Sequence, residues 1–400
     1  MNEQIKHRIT QLNNGEVPNG YKKTEFGIFP CDWVTDKKLK DLGSFGKGKG
    51  LPGDKMTTEG VPCVGYGDIY MKYNHFHFEE AQTFVDEETA SESQPIHKGT
   101  LLFTGTGETA DEIGKCVCYN GDETIYAGGD IITFVAEKVN PLFLAYQQYQ
   151  EFSLRKKASF GQGHSVVHIQ RENLEKLNVA YPKSTEEQSQ IAEILMKWDE
   201  AIELQEQYID ILEIRKRYLM KKLLTPKDNW KYVLLGNICD IKTGRLDANE
   251  MEEDGIYPFF TCSKEVYRIN QYSFDCEALL MAGNGDIGDV KYYNGKFDAY
   301  QRTYVLSNFS FNIKYVMQYL LLNFDRDVMK GMQKSSMPYI KLDLLKNAKI
   351  YYDPSMVEKT VTILSTVDNE IEQHNIKLEQ LKKQRKTLQQ YLLNGIVRVK

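Results

Sequence analysis

Hydrophobic and polar positions follow two different periods along the chain. Short alternating runs at 115–119 (KCVCY), 131–137 (IITFVAE) and 289–293 (DVKYY) predict β-strands, and the apolar spacing at 140–158 and 311–324 predicts α-helices. Glycine-rich stretches such as GSFGKGKGLPG at 43–53 mark loops. The Asn-Gly pairs at 120–121 and 294–295 predict two-residue hairpin turns, because a type I′ turn needs two positive φ angles. The pattern therefore predicts an α+β fold whose domains mix helices and strands.

The same pattern occurs twice. LLFTGTG at 101–107 corresponds to LLMAGNG at 279–285, and IGKCVCYNG at 113–121 corresponds to IGDVKYYNG at 287–295. The long helical patterns that end the two halves align without a gap at an offset of 169, so that Asp199 matches Asp368 and Leu212 matches Leu381. A repeat of this length predicts two similar modules, each followed by a long helix, in a pseudo-two-fold arrangement.

The two long helices carry heptads with polar interruptions, which are typical of a coiled coil. The predicted seam residues of the first helix are Leu195, Trp198, Ile202, Ile209, Leu212, Leu219 and Leu223. Those of the second helix are Leu364, Ile371, Leu378, Leu381, Leu388 and Leu392.

The order of charges along these helices predicts their relative direction. Residues 184–214 contain nine acidic side chains and one lysine, whereas residues 215–231 contain seven basic side chains and one aspartate, and the second helix repeats this order. Complementing the helix dipole would require charges only in the first and last turns. Antiparallel pairing places each acidic half against a basic half. About thirty residues would then hold the modules about 45 Å apart, which is comparable to one DNA turn of roughly 34 Å.

Composition limits the classes of function. The 400 residues suffice for two or three domains, and the net charge of −6 argues against a protein that only coats nucleic acid while leaving room for a local basic face. The polar N-terminal stretch and the lack of an apolar run near 18 residues predict a cytoplasmic protein. The seven cysteines are predicted to be reduced thiols. Cys116 and Cys118 have no second pair that would complete a metal site.

Motifs for catalysis are incomplete. GNGDIG at 283–288 matches a dinucleotide fingerprint, but a strand pattern follows it where a helix is required. FTGTG at 103–107 is similar to an S-adenosylmethionine loop, but the catalytic tetrapeptide of those methyltransferases is absent. His75 and His77 have no further ligands at a suitable spacing. The chain is therefore predicted to be non-catalytic and to hold no metal and no cofactor.

The order of module, helix, module and helix resembles the specificity subunit of type I restriction–modification enzymes. The resemblance rests on GYKKTEFGIFPCDW at 20–33, SFGQGHSVVHI at 159–169, the EEQ opening of the first long helix and LLNGIVRVK at the C-terminus. LNNG at 12–15 is similar to LLNG at 392–395, which fits the circular pseudo-symmetry of that family. The second helix departs from the pattern, since it opens SMVEKTVTIL instead of EEQ.

The resemblance implies that each module is a target-recognition domain that reads one half of a bipartite double-stranded DNA sequence. The paired helices would set the spacing and dock two methyltransferase subunits, which bind S-adenosylmethionine and modify adenine at N6. Restriction subunits, which are motor-nucleases, would join with ATP and Mg²⁺. Two alternatives stay open: a specificity chain of another restriction class with a fused nuclease-methylase partner, and a tandem coiled-coil scaffold that binds no DNA.

The implied domains are an N-terminal segment near the helix ends (1–30), recognition domain 1 (31–183), a central long helix (184–226), recognition domain 2 (227–353) and a C-terminal long helix with a tail (354–400). Candidate DNA contacts are chosen by chemistry, because phosphates attract cations and base edges need forked donors and acceptors. In the first module they are Lys47, Lys49, Thr104, Thr106, Gln162, His164 and Ser165. In the second they are Lys242, Thr243, Arg245, Asn284, Tyr300, Gln301, Arg302, Lys334, Ser335 and Ser336.

The YQRT stretch of the second module has Gly128, Gly129 and Asp130 as its counterpart in the first. These residues lack the ring, amide and guanidinium groups of Tyr300, Gln301 and Arg302. Such a difference is what two different half-sites would require, and Arg302 is the strongest single candidate.

Overall fold

The computed structural model describes residues 3–73, 76–163, 166–285, 287–327 and 339–399. Its helices are α1 (Glu3–Asn13), α2 (Tyr66–Met71), α3 (Glu87–Ser91), α4 (Pro141–Gln147), α5 (Glu151–Phe160), α6 (Arg171–Leu174), α7 (Thr185–Leu224), α8 (Leu235–Ile238), α9 (Ile313–Asp327), α10 (Leu342–Lys346) and α11 (Val357–Leu393). Short 3₁₀ helices lie at Leu39–Asp41, Gly53–Lys55 and Ala248–Glu250.

The strands are β1 (Tyr21–Thr24), β2 (Gly27–Pro30), β3 (Val34–Lys38), β4 (Gly43–Lys47), β5 (Val61–Val64), β6 (His77–Phe78), β7 (Thr83–Val85), β8 (Gln94–Ile96), β9 (Thr100–Thr104), β10 (Thr106–Gly107), β11 (Cys116–Tyr119), β12 (Ile125–Ala127), β13 (Ile131–Ala136), β14 (Val167–His168), β15 (Asn178–Tyr181), β16 (Lys231–Leu234), β17 (Asp240–Thr243), β18 (Tyr257–Phe260), β19 (Val266–Ile269), β20 (Phe274–Ala282), β21 (Val290–Ala299), β22 (Thr303–Ser307) and β23 (Lys349–Tyr352). The fold is the predicted mixture of helices and sheets. None of the described helices combines the length and the apolar character that crossing a membrane requires.

The chain divides into two compact units. The first consists of residues 1–204 and 378–400, and the second of residues 205–377. Each unit therefore contains one module together with a part of both long helices. The proposed domain boundaries stay predictions.

The first unit is built on a five-stranded sheet with the order β4-β13-β9-β11-β6 and a four-stranded sheet with the order β7-β5-β12-β8. Its main core includes Trp33, Phe103, Phe134 and Phe143, all of which are buried. Leu195 of α7 and Leu392 of α11 belong to the same core. The module is thus anchored on both long helices by apolar burial, the main favourable contribution to folding.

The second unit repeats this plan with one larger sheet. Its strand order is β17-β22-β20-β21-β18-β19, and the run β17-β22-β20-β21 corresponds to β4-β13-β9-β11 of the first unit. The helix that follows is capped in the same way in both units. Asn140 accepts a hydrogen bond from the backbone N–H of Phe143 at 3.0 Å, and Asn312 accepts one from the N–H of Tyr315 at 3.1 Å.

Most predicted local elements are found, and one class is wrong. The three predicted strands overlap β11, β13 and β21, and the segment at 140–158 forms two helices, α4 and α5. Neither Asn-Gly pair forms a hairpin turn. Asn120 and Gly121 follow β11, which pairs with β6 and β9 instead of the next strand, and Asn294 and Gly295 lie inside β21 opposite Glu277 and Cys276. Sheet pairing overrides the local turn preference because it satisfies more backbone groups.

In the first unit the long helices pair in opposite directions. Asp199 of α7 lies against Arg385 of α11, with Arg385 Nε donating to Asp199 Oδ1 at 2.7 Å, whereas Glu187 of α7 accepts from Arg398 Nε, beyond the end of α11, at 2.6 Å. The Asp199–Arg385 pair is buried, and the Tyr146 hydroxyl donates to Asp199 Oδ2 at 2.7 Å. The Arg385 guanidinium also lies 4.2 Å above the ring of Phe76.

The second unit shows the same antiparallel direction. Lys216 Nζ lies 2.6 Å from Asp368 Oδ1, and Gln205 Nε2 donates to the backbone oxygen of His374 at 3.1 Å. At the offset of 169 residues, Asp199 corresponds to Asp368 and Arg385 corresponds to Lys216, so the two charge pairs occupy equivalent positions. Gln205 corresponds to His374, the residue with which it is paired. The predicted antiparallel pairing is confirmed in each unit. Every predicted seam residue is buried or half-buried.

The two charge pairs should differ in their contribution to stability. Side chains in the Asp199–Arg385 pair are 5% and 9% exposed, whereas those of Asp368 and Lys216 are 30% and 25% exposed. We expect Arg385→Ala to lower the free energy of unfolding by about 3–5 kcal/mol, because it leaves a buried carboxylate unpaired. The matched Lys216→Ala should cost about 1 kcal/mol or less. Urea denaturation followed by tryptophan fluorescence measures both, and equal losses would contradict the prediction.

Candidate functional site

The second unit has a cleft where loops from several strands of its sheet meet. The cleft has a volume of about 380 Å³ and is lined by Thr243, Asn284, Gln301 and Arg302, together with Tyr304, Tyr339 and two further residues. Four residues that the sequence predicts as DNA contacts, from separate parts of the chain, therefore line one cleft.

Backbone hydrogen bonds hold this cleft in shape. The Gly283 N–H donates to the Arg302 carbonyl at 2.9 Å, and the Ile340 N–H donates to the Gly283 carbonyl at 2.8 Å. The hydroxyl of Tyr304 donates to the Ile340 carbonyl at 2.8 Å. Gly283 thus connects the end of β20 to the turn before β22 and to the segment before α10, so that the side chain of Arg302 starts from a fixed backbone.

A close backbone contact brings the basic segment after β17 to the same turn. A Cβ atom at Gly244 would lie 1.8 Å from the Ala299 carbonyl oxygen, so only glycine fits there. Lys242, Thr243 and Arg245 flank this glycine and are exposed, and so are Gln301 and Arg302. Within the described residues, no hydrogen bond or ion pair engages the guanidinium of Arg302. The surface therefore offers cationic and amide donors that are free to bind a ligand.

The first unit has the same backbone arrangement around two glycines, Gly105 and Gly48, but different side chains. We call this arrangement, formed by Gly283 and Gly244 in the second unit, the glycine frame. The Gly105 N–H donates to the Asp130 carbonyl at 2.8 Å, and the Ile169 N–H donates to the Gly105 carbonyl at 3.0 Å. A Cβ atom at Gly48 would lie 1.8 Å from the Gly128 carbonyl oxygen, which matches the contact at Gly244. Lys47 and Lys49, on either side of Gly48, are exposed.

The other predicted residues of the first unit differ in their burial and in their hydrogen bonds. Thr106 is half-buried, and its hydroxyl lies 3.2 Å from Nδ1 of His168, while Gln162 is exposed and bridged to His168 through the backbone. Thr104 is fully buried, and its hydroxyl lies 2.8 Å from that of Tyr70. Thr104 is the last residue of the central strand β9. Its side chain is therefore buried and presents no group to a ligand.

Some predicted residues do not line the cleft or cannot be placed. Tyr300 is half-buried beside it, and its backbone N–H donates to the Phe260 carbonyl at 2.9 Å. Five predicted contacts lie outside the described residues: His164, Ser165, Lys334, Ser335 and Ser336. The sequence argument missed Tyr339, which is 50% exposed in the cleft, because no periodic pattern marks it.

The described residues provide no other obvious chemistry. In the described ranges, no cluster of three or more His, Cys, Asp and Glu side chains is placed to hold a metal ion. Burial raises the pKa of the Cys116 thiol to about 12, so this group stays protonated near neutral pH.

A match to a known family decides the classification. A family model described as the type I restriction modification DNA specificity domain matches residues 30–213 and 227–383. The chain belongs to this family. The two matched regions correspond to the two halves of the internal repeat.

Individual members of the family are similar over different lengths. The chain is 37% identical over 173 residues to the type I restriction enzyme EcoDI specificity subunit of Escherichia coli, a match that covers 42% of this chain and 38% of that protein. It is 22% identical over 431 residues to the MjaIX specificity subunit of Methanocaldococcus jannaschii, covering 95% of this chain and 96% of that one. The crystal structure of the type I S subunit from M. genitalium has the same fold, with a TM-score of 0.62, 17% identity, and coverage of 94% of this chain and 97% of that chain.

A buried lysine contacts the loop that precedes β11 in the first unit. Lys157 of α5 donates from Nζ to the Gly114 carbonyl at 2.8 Å, and it is 1% exposed. Burial lowers its pKa to about 8, because the charged form is poorly solvated there.

This lysine should give the protein a measurable pH dependence. Below pH 8 both the folded and the unfolded chain carry the charge, so the folded state bears the full burial penalty. Between pH 8 and about 10.4, where an unperturbed lysine titrates, the folded state releases its proton first and stability rises, by about 3 kcal/mol at most. We expect the unfolding free energy of the native chain, relative to Lys157→Met, to increase over this range. The exposed neighbour Lys156→Met is the control, and a difference that stays flat with pH would refute the assignment.

Proposed function

We propose that the chain is the DNA specificity subunit of a type I restriction–modification complex, with each module reading one half of a split target. The observation that carries this proposal is the repeated glycine frame (Gly48 and Gly105, Gly244 and Gly283), which presents exposed basic side chains in both units and an exposed amide in the second. Lys47 and Lys49 in the first unit and Lys242 and Arg245 in the second are suited to phosphates. Arg302 and Gln301 are suited to base edges.

The negative net charge of the chain is compatible with this function. Nine of the 56 acidic residues lie at 184–214 in the first long helix, away in sequence from the basic loops. Local potential, not net charge, governs the approach of a phosphate backbone. Partner subunits would supply further DNA contacts.

The primary test is to compare DNA methylation in the host with and without this gene. The proposal expects a split motif with modified adenine that disappears when the gene is deleted. A mobility shift on the same duplex, with and without the methyltransferase subunit, separates DNA recognition from a scaffold role. Methylation unchanged by the deletion, together with no binding at low salt, would refute the proposal.

Arg302 is expected to read a base in one half-site. Arg302→Ala should weaken binding to the split target by about 1–3 kcal/mol, because a bidentate contact to guanine is lost. The loss should be confined to sequences that carry the correct base in that half. Competition binding with single-base variants of the target measures it.

Arg302→Lys is the matched control for this test. Lysine keeps the positive charge but loses the planar fork. If Arg302 contacts a base through both nitrogens, the lysine variant loses discrimination as the alanine variant does. An equal loss of affinity for every sequence in the alanine variant would instead mark Arg302 as a phosphate contact.

An exposed apolar face on α7 suits a partner subunit. Ile211, Ile214 and Tyr218 are 60%, 58% and 63% exposed. They lie on the side of the helix away from the buried seam residues Ile209 and Leu212. Contiguous apolar surface of this kind marks interaction sites. We assign it to a methyltransferase subunit that contributes an amphipathic helix, and restriction subunits would join the assembled complex.

Replacing this face by the polar residues of the second repeat should weaken assembly. The offset of 169 pairs Ile211 with Gln380 and Ile214 with Lys383, both exposed. We expect the double variant Ile211→Gln and Ile214→Lys to fold normally and to bind the methyltransferase subunit at least about tenfold more weakly. Analytical ultracentrifugation measures the affinity, with Glu213→Gln as the control. Unchanged affinity would remove this face from the interface.

A further inference from the structure

The two units place side chains of opposite charge at one equivalent position. Gly105 joins Asp130 to Ile169 through hydrogen bonds of 2.8 and 3.0 Å, and Gly283 joins Arg302 to Ile340 through hydrogen bonds of 2.9 and 2.8 Å. In both units the bridged residue lies in the turn before the second strand of the sheet, β13 or β22. Asp130 is therefore the structural counterpart of Arg302.

The Asp130 carboxylate is available to an external ligand. The side chain is exposed, and in the described part of the chain no hydrogen bond or ion pair engages it. The lysine-bearing loop lies against the same turn, because the N–H of Lys49 donates to the Ala127 carbonyl at 3.0 Å and the N–H of Gly48 donates to the Ile131 carbonyl at 2.8 Å. An acidic group is thus positioned within a basic surface without being neutralised by it.

A free carboxylate on a DNA-facing surface has few favourable ligands. It is repelled by phosphates, and in the major groove guanine offers only acceptors at N7 and O6. The exocyclic amino group of cytosine is a donor, and Asp or Glu is its usual protein partner. Adenine also carries a donor at N6, but its N7 acceptor lies beside that donor and repels a carboxylate, so cytosine is the base that a carboxylate favours.

We infer that Asp130 sets the base preference of the first module by accepting a hydrogen bond from the N4 amino group of a cytosine. The inference rests on the proposed function and adds to it the chemical class of the base edge. The same frame would then read a donor edge in one half-site and an acceptor edge in the other. The difference between the two preferences would come from one position, which carries Asp130 in the first unit and Arg302 in the second.

The test is selection of bound sequences from random duplex DNA by the full chain in complex with its methyltransferase subunit. We expect the native chain to select a split motif. Asp130→Asn should lower the preference for a single C·G position in one half by roughly tenfold to a hundredfold. The other half should keep its preference, and Arg302→Ala should alter that other half. Asp36→Asn removes the same charge from an exposed position on β3 and should change neither half.

The possible outcomes separate the inference from the proposed function. If the native chain selects no split motif, the proposed function fails. If the motif is selected but Asp130→Asn weakens or strengthens all sequences equally, Asp130 reads no base and the inference is overturned. Relaxation at an A·T position would also overturn it, because cytosine would not be the base read. Circular dichroism of the variants verifies that the fold is unchanged.

Discussion

The antiparallel register of α7 and α11 depends on charge pairs that sit at equivalent positions of the repeat. Asp199 with Arg385 in one unit and Asp368 with Lys216 in the other each join an acidic part of one helix to a basic part of its neighbour. A parallel register would bring like charges together and leave buried groups unpaired, which is strongly unfavourable. Each module then packs its apolar core on both helices, so the paired helices support the module in each unit.

Within each unit, the backbone positions the proposed recognition surface and the side chains give it its chemistry. Gly105 and Gly283 donate and accept at the same two points, and Gly48 and Gly244 permit the same close approach of a basic loop. None of these four residues contributes a functional group. The surrounding side chains can therefore vary without loss of the frame, as Asp130 and Arg302 illustrate. This separation of scaffold and variable side chain suits the proposed function, in which the two modules read different sequences.

The repeat is unequal at two levels. The pair Asp199–Arg385 is buried and supported by Tyr146 and by the ring of Phe76, whereas Lys216–Asp368 is partly exposed and supported by Gln318. The outer face of α7 carries Ile211 and Ile214 where α11 carries Gln380 and Lys383. The two copies thus share the direction of helix pairing and differ in the burial of their charge pairs and in the polarity of the outer helix face.

The periodic parts of this protein were determined by its sequence alone. The heptads, the order of charges and the 169-residue offset predicted two long antiparallel helices and two related modules, because period and charge order are local properties of the chain. The Asn-Gly turns were wrong, since strand pairing between distant segments decides whether such a pair ends a strand or lies within it. Likewise only the tertiary structure showed that Thr104 is buried and that Gly105 and Gly283 hold the turns at Asp130 and Arg302, because these backbone hydrogen bonds join segments that are far apart in the sequence.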